Sequence, residues 1–310
     1  MHALRYSIRF SVILKYFGWL DIVLAALTLA PLTISILFGD YSISLRYAVV
    51  VVGLFALGLG LSRLPDPKRI QTNEAMAVTA IAFLFTPLLM TYPMMGSGLN
   101  FIDAFFEAIS AVTTTGLTTT ARVADKPATF LFARAWMQWY GGLGIIVLAL
   151  AVMMQPGQAA KRLDDMGDYE DDLIGATRSH VQRVLLVYGI LTGIGIIALI
   201  TLGTRWWDAM LYTFTAVSTG GFSSHDTSLA LNGLPAQAAI ILLSTAGGIS
   251  FIFYRRLVRE EFRGHHTCLL LTINCNYSMK GYGKNSNNSG TGDATSCYSK
   301  REQTVTNLFF

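Results

Sequence analysis

The sequence predicts an all-α membrane protein: an N-terminal helical hairpin followed by two like units, each a span, a short helix, a filter-like loop and a second span. Three observations carry this. Only 14% of the residues are charged and 53% are hydrophobic, whereas a soluble domain carries about a quarter charged. The apolar residues stand in long blocks, and six of these reach or approach the ~20 residues a helix needs to cross a bilayer. Between the blocks, two stretches of small polar residues and glycine repeat one another at a fixed distance.

The spans are expected near 11–38, 44–62, 75–95, 130–154, 182–203 and 235–254, the second short and glycine-rich. Helices are the natural form, because lipid offers no partner for open backbone groups. Basic residues cluster at Arg5, Arg9 and Lys15, and at Arg63, Lys68 and Arg69. They recur at Lys161, Arg162, Arg178 and Arg183, and at Arg255, Arg256, Arg259 and Arg263. Six spans with both termini inside place all four clusters in the cytoplasm, in keeping with the positive-inside rule. Asp164, Asp165, Asp168, Glu170, Asp171 and Asp172 of the linker weigh little in that rule and read as solvated. The first block is too long for the core of a cleavable signal peptide. Five segments follow: a transmembrane hairpin at 1–70, a first pore repeat at 71–155, a cytoplasmic linker at 156–181, a second pore repeat at 182–263 and a polar tail at 264–310. The tail contains KNSNNSGTGDATS and little periodicity, and reads as disorder.

Residues 100–120 (NFIDAFFEAISAVTTTGLTTT) and 206–223 (WWDAMLYTFTAVSTGGFS) do not fit as spans. Each opens with an apolar stretch of about ten residues, too short to cross. Each closes in hydroxyls and glycine. A short helix that enters the membrane and returns as extended chain fits both, provided that backbone is buried in protein or lines water. Asp103-Ala104 matches Asp208-Ala209, Ala111-Val112 matches Ala216-Val217, Thr114 matches Thr219 and Gly116 matches Gly221, all 105 residues apart without a gap. Gly141-Gly142 matches Gly247-Gly248 at 106. The shared spacing marks an internal duplication, a common construction in transport proteins.

A dehydrated potassium ion needs a cage of oxygens, and backbone carbonyls supply one without fixed charge. The candidate filter residues are Thr113, Thr114, Thr115, Gly116 and Leu117 in the first loop, and Ser218, Thr219, Gly220, Gly221 and Phe222 in the second. Gly116 and Gly221 reach unusual dihedrals at little steric cost. The negative C-terminal end of each short helix favours a cation. Asp103 and Asp208, at the helix starts, are read as N-terminal caps and not as ion ligands. Glu107, whose counterpart is Tyr212, serves either an internal hydrogen bond, the expected role, or an outer vestibule. Gly141, Gly142 and Gly144 serve close packing or, alternatively, bending. His225 and Asp226 read as a polar loop rather than an outer-mouth site, and His180 suggests nothing specific.

The residues then resemble a known family. DAFFEAISAVTTTGLTTT is similar to the first pore segment of the bacterial Trk membrane subunit, in the Trk/Ktr/HKT superfamily of potassium transporters, and QWYGGLGIIVLAL to the helix after it. DAMLYTFTAVSTGGFSS and AGGISFIFY resemble the second pore segment and its following helix, and the spans before Glu74 resemble the N-terminal hairpin. The resemblance covers roughly 1–263 and implies M1–pore helix–filter–M2 repeats with Gly116 and Gly221 as filter glycines. It implies potassium uptake at the bacterial inner membrane, potassium as substrate with no bound cofactor, a homodimer in membrane lipid, and a cytoplasmic nucleotide-binding regulatory partner. The family carries four repeats around one pore; only two are legible here, so a product truncated after the second repeat is expected. A nonconducting fragment or assembly partner is the alternative to a channel-like transporter. No nucleophile–base pair, zinc motif or phosphate loop points to an enzyme, and nothing points to nucleic acid. The three cysteines, Cys268, Cys275 and Cys297, show no disulfide framework or paired spacing, and His265 and His266 beside them are not read as a metal site.

Overall fold

The computed structural model describes residues 9–65, 72–153, 170–230 and 233–249. The described residues form helices α1 (Phe10–Leu37), α2 (Tyr41–Ser62), α3 (Thr72–Met95), α4 (Phe101–Val112), α5 (Ala128–Met153), α6 (Glu170–Thr201), α7 (Trp206–Val217) and α8 (Leu234–Gly248), and no strand. Phe10–Leu37, Tyr41–Ser62, Asn73–Met95 and Val184–Thr201 are long and apolar enough to cross a membrane. α5, of 26 residues, has the length to do so as well. α4 and α7, of 12 residues each, rise only about 18 Å and cannot. The glycine-rich second span is a full helix of 22 residues. The sixth is described as a helix to Gly248, with Ile249 extended, and the rest of the expected span, 250–254, lies outside the described residues. Residues 170–181 of the expected linker are the first turns of α6. The linker at 156–169, the end of the second repeat at 250–263 and the tail with His265, His266, Cys268, Cys275 and Cys297 lie outside the described residues, as does the side chain of His180.

Most residues of the spans are exposed or only half-buried, as lipid-facing surfaces are; Leu45, Val52, Leu84 and Ile197 are exposed examples. What the spans bury is selective. Gly18 and Gly58 bring α1 and α2 together: a Cβ on Gly58 would stand 2.8 Å from the Gly18 carbonyl oxygen. Phe17 of α1 meets Phe85 of α3 edge-on at 5.1 Å. Pro31 interrupts α1 and has no N–H to offer the Leu27 carbonyl. Trp136 Nε1 of α5 donates to that carbonyl at 2.8 Å, which satisfies it and fixes α5 against the hairpin.

Two sets of polar contacts define two ends. At one, Arg9 grips Glu74 with Nε to Oε1 at 2.9 Å and Nη2 to Oε2 at 3.0 Å, joining the starts of α1 and α3. These bonds hold the Arg9 guanidinium further toward its charged form. At the other, Thr129 Oγ1 at the start of α5 donates to Asp40 Oδ2 before α2 at 2.6 Å, and Phe38 meets Trp207 at the start of α7 at 5.0 Å. Hence α7 starts at the same end as α2 and α5, opposite the starts of α1 and α3.

Candidate functional site

Each short helix delivers its C-terminus to a filter-like loop. α4 is capped by Asn100, whose extended backbone (φ −71°, ψ 170°) lets Oδ1 accept from Asp103 N at 2.8 Å while Nδ2 donates to Asp103 Oδ2 at 2.7 Å. The cap position of α7 belongs to Arg205, which makes no side-chain cap bond. The reading of Asp103 and Asp208 as caps is thereby corrected. Both lie in the first turn, where a carboxylate still complements the positive helix end. Asp208 Oδ1 instead accepts from Ser224 Oγ at 2.8 Å and stands 3.5 Å from His225 Nε2, so it ties the outgoing segment back to the helix.

The loops share one backbone. Thr114 and Thr219 sit at φ 54° and 56°, Gly116 and Gly221 at φ 77° and 82°. Left-handed geometry at a β-branched residue is costly, so its recurrence in both threonines marks a conformation imposed by the surroundings. Hydrogen bonds repeat as well. The Ser110 carbonyl accepts from Thr115 N at 2.9 Å, and its counterpart Thr215 accepts from Gly220 N at 2.8 Å. Thr113 Oγ1 and Ser218 Oγ bond back into their helices at 2.7 and 2.9 Å. Those two hydroxyls are therefore occupied by the helix end. Among the described residues, the carbonyls of Thr113–Gly116 and Ser218–Gly221 accept no hydrogen bond, and the Leu117 carbonyl is held by Ser110 Oγ at 2.6 Å. Two rows of uncommitted carbonyls, each beside a helix C-terminus, offer oxygens of the kind that can coordinate a cation.

Glycines set the distances around the loops. A side chain on Gly116 would overlap the Gly220 carbonyl, so the first loop lies directly against the second. Gly221, the counterpart of Gly116, has nothing within 4 Å of its added Cβ. Gly141 of α5 lies against the Val112 carbonyl, and Gly247 of α8 against the Val217 carbonyl, one contact occurring in both units. The close-packing reading of Gly141 and Gly142 holds, Gly142 lying beside Ser218; Gly144 has only an ordinary contact with Phe83.

Glu107 is fully buried and serves structure. Its Oε1 accepts from Thr119 N at 2.9 Å, Thr120 N at 3.2 Å, Thr120 Oγ1 at 3.1 Å and Thr118 Oγ1, and so pins the chain leaving the first loop. Its Oε2 lies 3.0 Å from Arg134 Nε, a charge contact without hydrogen-bond alignment. Sequence reading passed over Arg134 and Gln138. The Arg134 guanidinium also lies 3.8 Å above the Phe222 ring, and Gln138 Oε1 accepts from Phe222 N at 3.3 Å. A basic and an amide residue one turn apart at the head of an apolar helix were the available signal. Asp226 Oδ1 accepts from Val123 N at 2.5 Å and Ala124 N at 3.4 Å, joining the segments that follow the two loops. Asp226 is thus a brace, in line with the polar-loop reading. Among the described residues no His, Cys, Asp or Glu cluster suits a resident metal.

Known proteins share the sequence and the fold of this chain. The TrkH cation transport protein family matches residues 53–270. The Trk system potassium uptake protein TrkH of Halomonas elongata is 32% identical over 76% of this chain and 50% of its own length. An uncharacterized cation transporter of Methanocaldococcus jannaschii is 27% identical over 81% of this chain and 53% of its own. The crystal structure of the potassium transporter TrkH from Vibrio parahaemolyticus shares the fold, with a TM-score of 0.65 at 23% identity over 76% of this chain and 49% of that one. The chain thus spans about half the length of the relatives it matches. With a family match over most of its length and helices suited to lipid, this chain belongs to the TrkH family of cation transport proteins, multi-pass membrane proteins that move ions and are not enzymes.

Proposed function

We propose that the chain supplies two walls of a potassium-selective pore and serves potassium uptake across a bacterial inner membrane as the pore subunit of a Trk-type system. The observation that carries this is the duplicated loop backbone: left-handed Thr114 and Thr219, left-handed Gly116 and Gly221, and carbonyls that the protein leaves uncommitted. Thr113 to Leu117 and Ser218 to Phe222 are the filter residues. The pore repeats are residues 71–155 and 182–263, preceded by a hairpin at 1–70 and separated by a cytoplasmic linker at 156–181. The end bearing Arg9 and Arg63 faces the cytoplasm, and the loops open outward. Potassium sheds its water at the loops and moves down its electrochemical gradient. The names of the relatives, potassium uptake proteins of Trk systems, support the ion; a homodimer in membrane lipid and a cytoplasmic nucleotide-binding partner belong to the same proposal.

An ion needs oxygens on every side. The open space at Gly221 favours a second statement: two units do not enclose a site alone, and further units complete it. The test is growth at low potassium of a strain lacking potassium uptake, with this chain alone and with the chain joined to the missing half. Rescue by the joined form, lost on Gly116→Ser, is expected. Failure of both forms to rescue, in spite of membrane insertion, would sink the potassium reading; rescue by the chain alone would sink the need for further units.

A further inference from the structure

One arginine touches the anchorage of both filter loops. Arg134 is 2% exposed, on the second turn of α5, at the outer end of the first unit. Its Nε stands 3.0 Å from Glu107 Oε2, and Glu107 holds the segment 118–120 behind the first loop. Its flat face covers the ring of Phe222, the last residue of the second loop, at 3.8 Å, and meets Phe130 of its own helix at 5.3 Å. A guanidinium can do both at once, pairing through its edge and stacking through its face; an ammonium cannot. One turn on, Gln138 accepts from the Phe222 amide and fills the space where a side chain on Gly220 would stand.

The arrangement is confined to one unit. At the 106 spacing, the α8 counterparts of Arg134 and Gln138 are Ile240 and Ser244. The counterpart of Glu107 is Tyr212, whose hydroxyl donates to the Ser228 carbonyl at 3.2 Å. Leu117, the counterpart of Phe222, is 62% exposed where Phe222 is 5% exposed. Duplication alone therefore does not explain the cluster. It joins the first unit's helices to the second unit's loop, and the loops themselves touch at Gly116 and Gly220.

We propose that Arg134 and Gln138 are positioning residues that set the spacing of the two filter loops through Phe222, and thereby the ion preference of the pore. The ion-preference half rests on the filter reading given above; the positional half does not. The test uses the full chain purified into lipid nanodiscs, wild type against Arg134→Lys, Gln138→Leu, Phe222→Leu and Phe222→Tyr. Hydrogen exchange across 218–223 should rise about tenfold or more in Arg134→Lys, Gln138→Leu and Phe222→Leu, while Phe222→Tyr, which keeps the ring, stays near wild type. Exchange across α2 (Tyr41–Ser62), which touches none of these side chains, should remain unchanged. Equal protection of 218–223 in all variants, or an equal loss throughout the protein, would overturn the positional role. The second reading, taken on the same variants in the chain joined to the further units that complete the site, is the thermal stabilisation by potassium in excess of that by sodium. It should shrink in the three disruptive variants and persist in Phe222→Tyr; an unchanged excess in all of them overturns the link to ion preference. No excess in wild type would count against the filter reading itself, and the exchange experiment would still decide the clamp.

Discussion

Gly116 carries two independent constraints: φ is 77°, and a Cβ would overlap the Gly220 carbonyl of the neighbouring loop. The first costs a side chain about 1–2 kcal/mol, and the second cannot be relieved by a rotamer because the obstacle is backbone. Gly116→Ala should therefore abolish potassium uptake by the assembled transporter, whereas Gly221→Ala meets only the dihedral cost and should retain part of it. Equal rates of rubidium uptake in the two variants would contradict this ordering. Glu107 poses a different residue-scale question, since it satisfies four donors and faces a buried cation. Glu107→Gln leaves Arg134 without its counter-charge and should destabilise the chain by about 3–5 kcal/mol in reversible unfolding. The double change Glu107→Gln with Arg134→Met should recover part of that loss. A double variant as unstable as the two single losses added together would show that the pair is not coupled.

At the scale of elements, the unit is a short helix clamped by the helix that follows its loop. The clamp works through backbone contact: Gly141 on the Val112 carbonyl, Gly247 on the Val217 carbonyl. Adding a methyl group there pushes the helices apart and should cost about 1–3 kcal/mol at each site. Gly193→Ala is the control, because nothing lies within 4 Å of that position and alanine favours helix. Thermal unfolding in detergent should rank Gly193→Ala at or above wild type, with Gly141→Ala and Gly247→Ala well below. The hairpin meets the first unit through Pro31, which frees the Leu27 carbonyl, and Trp136, which takes it up. Trp136→Phe removes that donor and should cost about 1–3 kcal/mol, as an unsatisfied carbonyl does.

For the whole molecule, the decisive property is which end faces out. Arg63, beyond α2, and Arg122, between the first loop and α5, lie at opposite ends and are both exposed. With Arg122→Cys and Arg63→Cys in intact cells, a membrane-impermeant maleimide should label the first and spare the second until the cells are opened. The reverse pattern would invert the proposed topology. The two units are joined by Asp226 after the loops and by Arg134 and Gln138 at Phe222, contacts that do not involve the linker at 156–169.

The sequence by itself determined the helical membrane class, the duplication and the two short helices with their threonine–glycine loops. Span length, the 105-residue spacing and paired threonine–glycine runs are local properties of the chain, and lipid permits few other answers to them. It also pointed to Glu107 as an internal partner and to Gly141 as a packing residue, since a carboxylate or a glycine in such a place has few uses. It misplaced the helix caps by a few residues, because Asn100 and Asp103 are equally plausible caps until the backbone angles are known. Only the tertiary structure decided that Gly116 abuts Gly220, that one arginine serves both loops and that Gly221 faces open space. Those are relations between residues of different units. Hydrophobic periodicity and motif spacing describe one segment at a time, whereas the distance between two filter loops is set by how their helices pack.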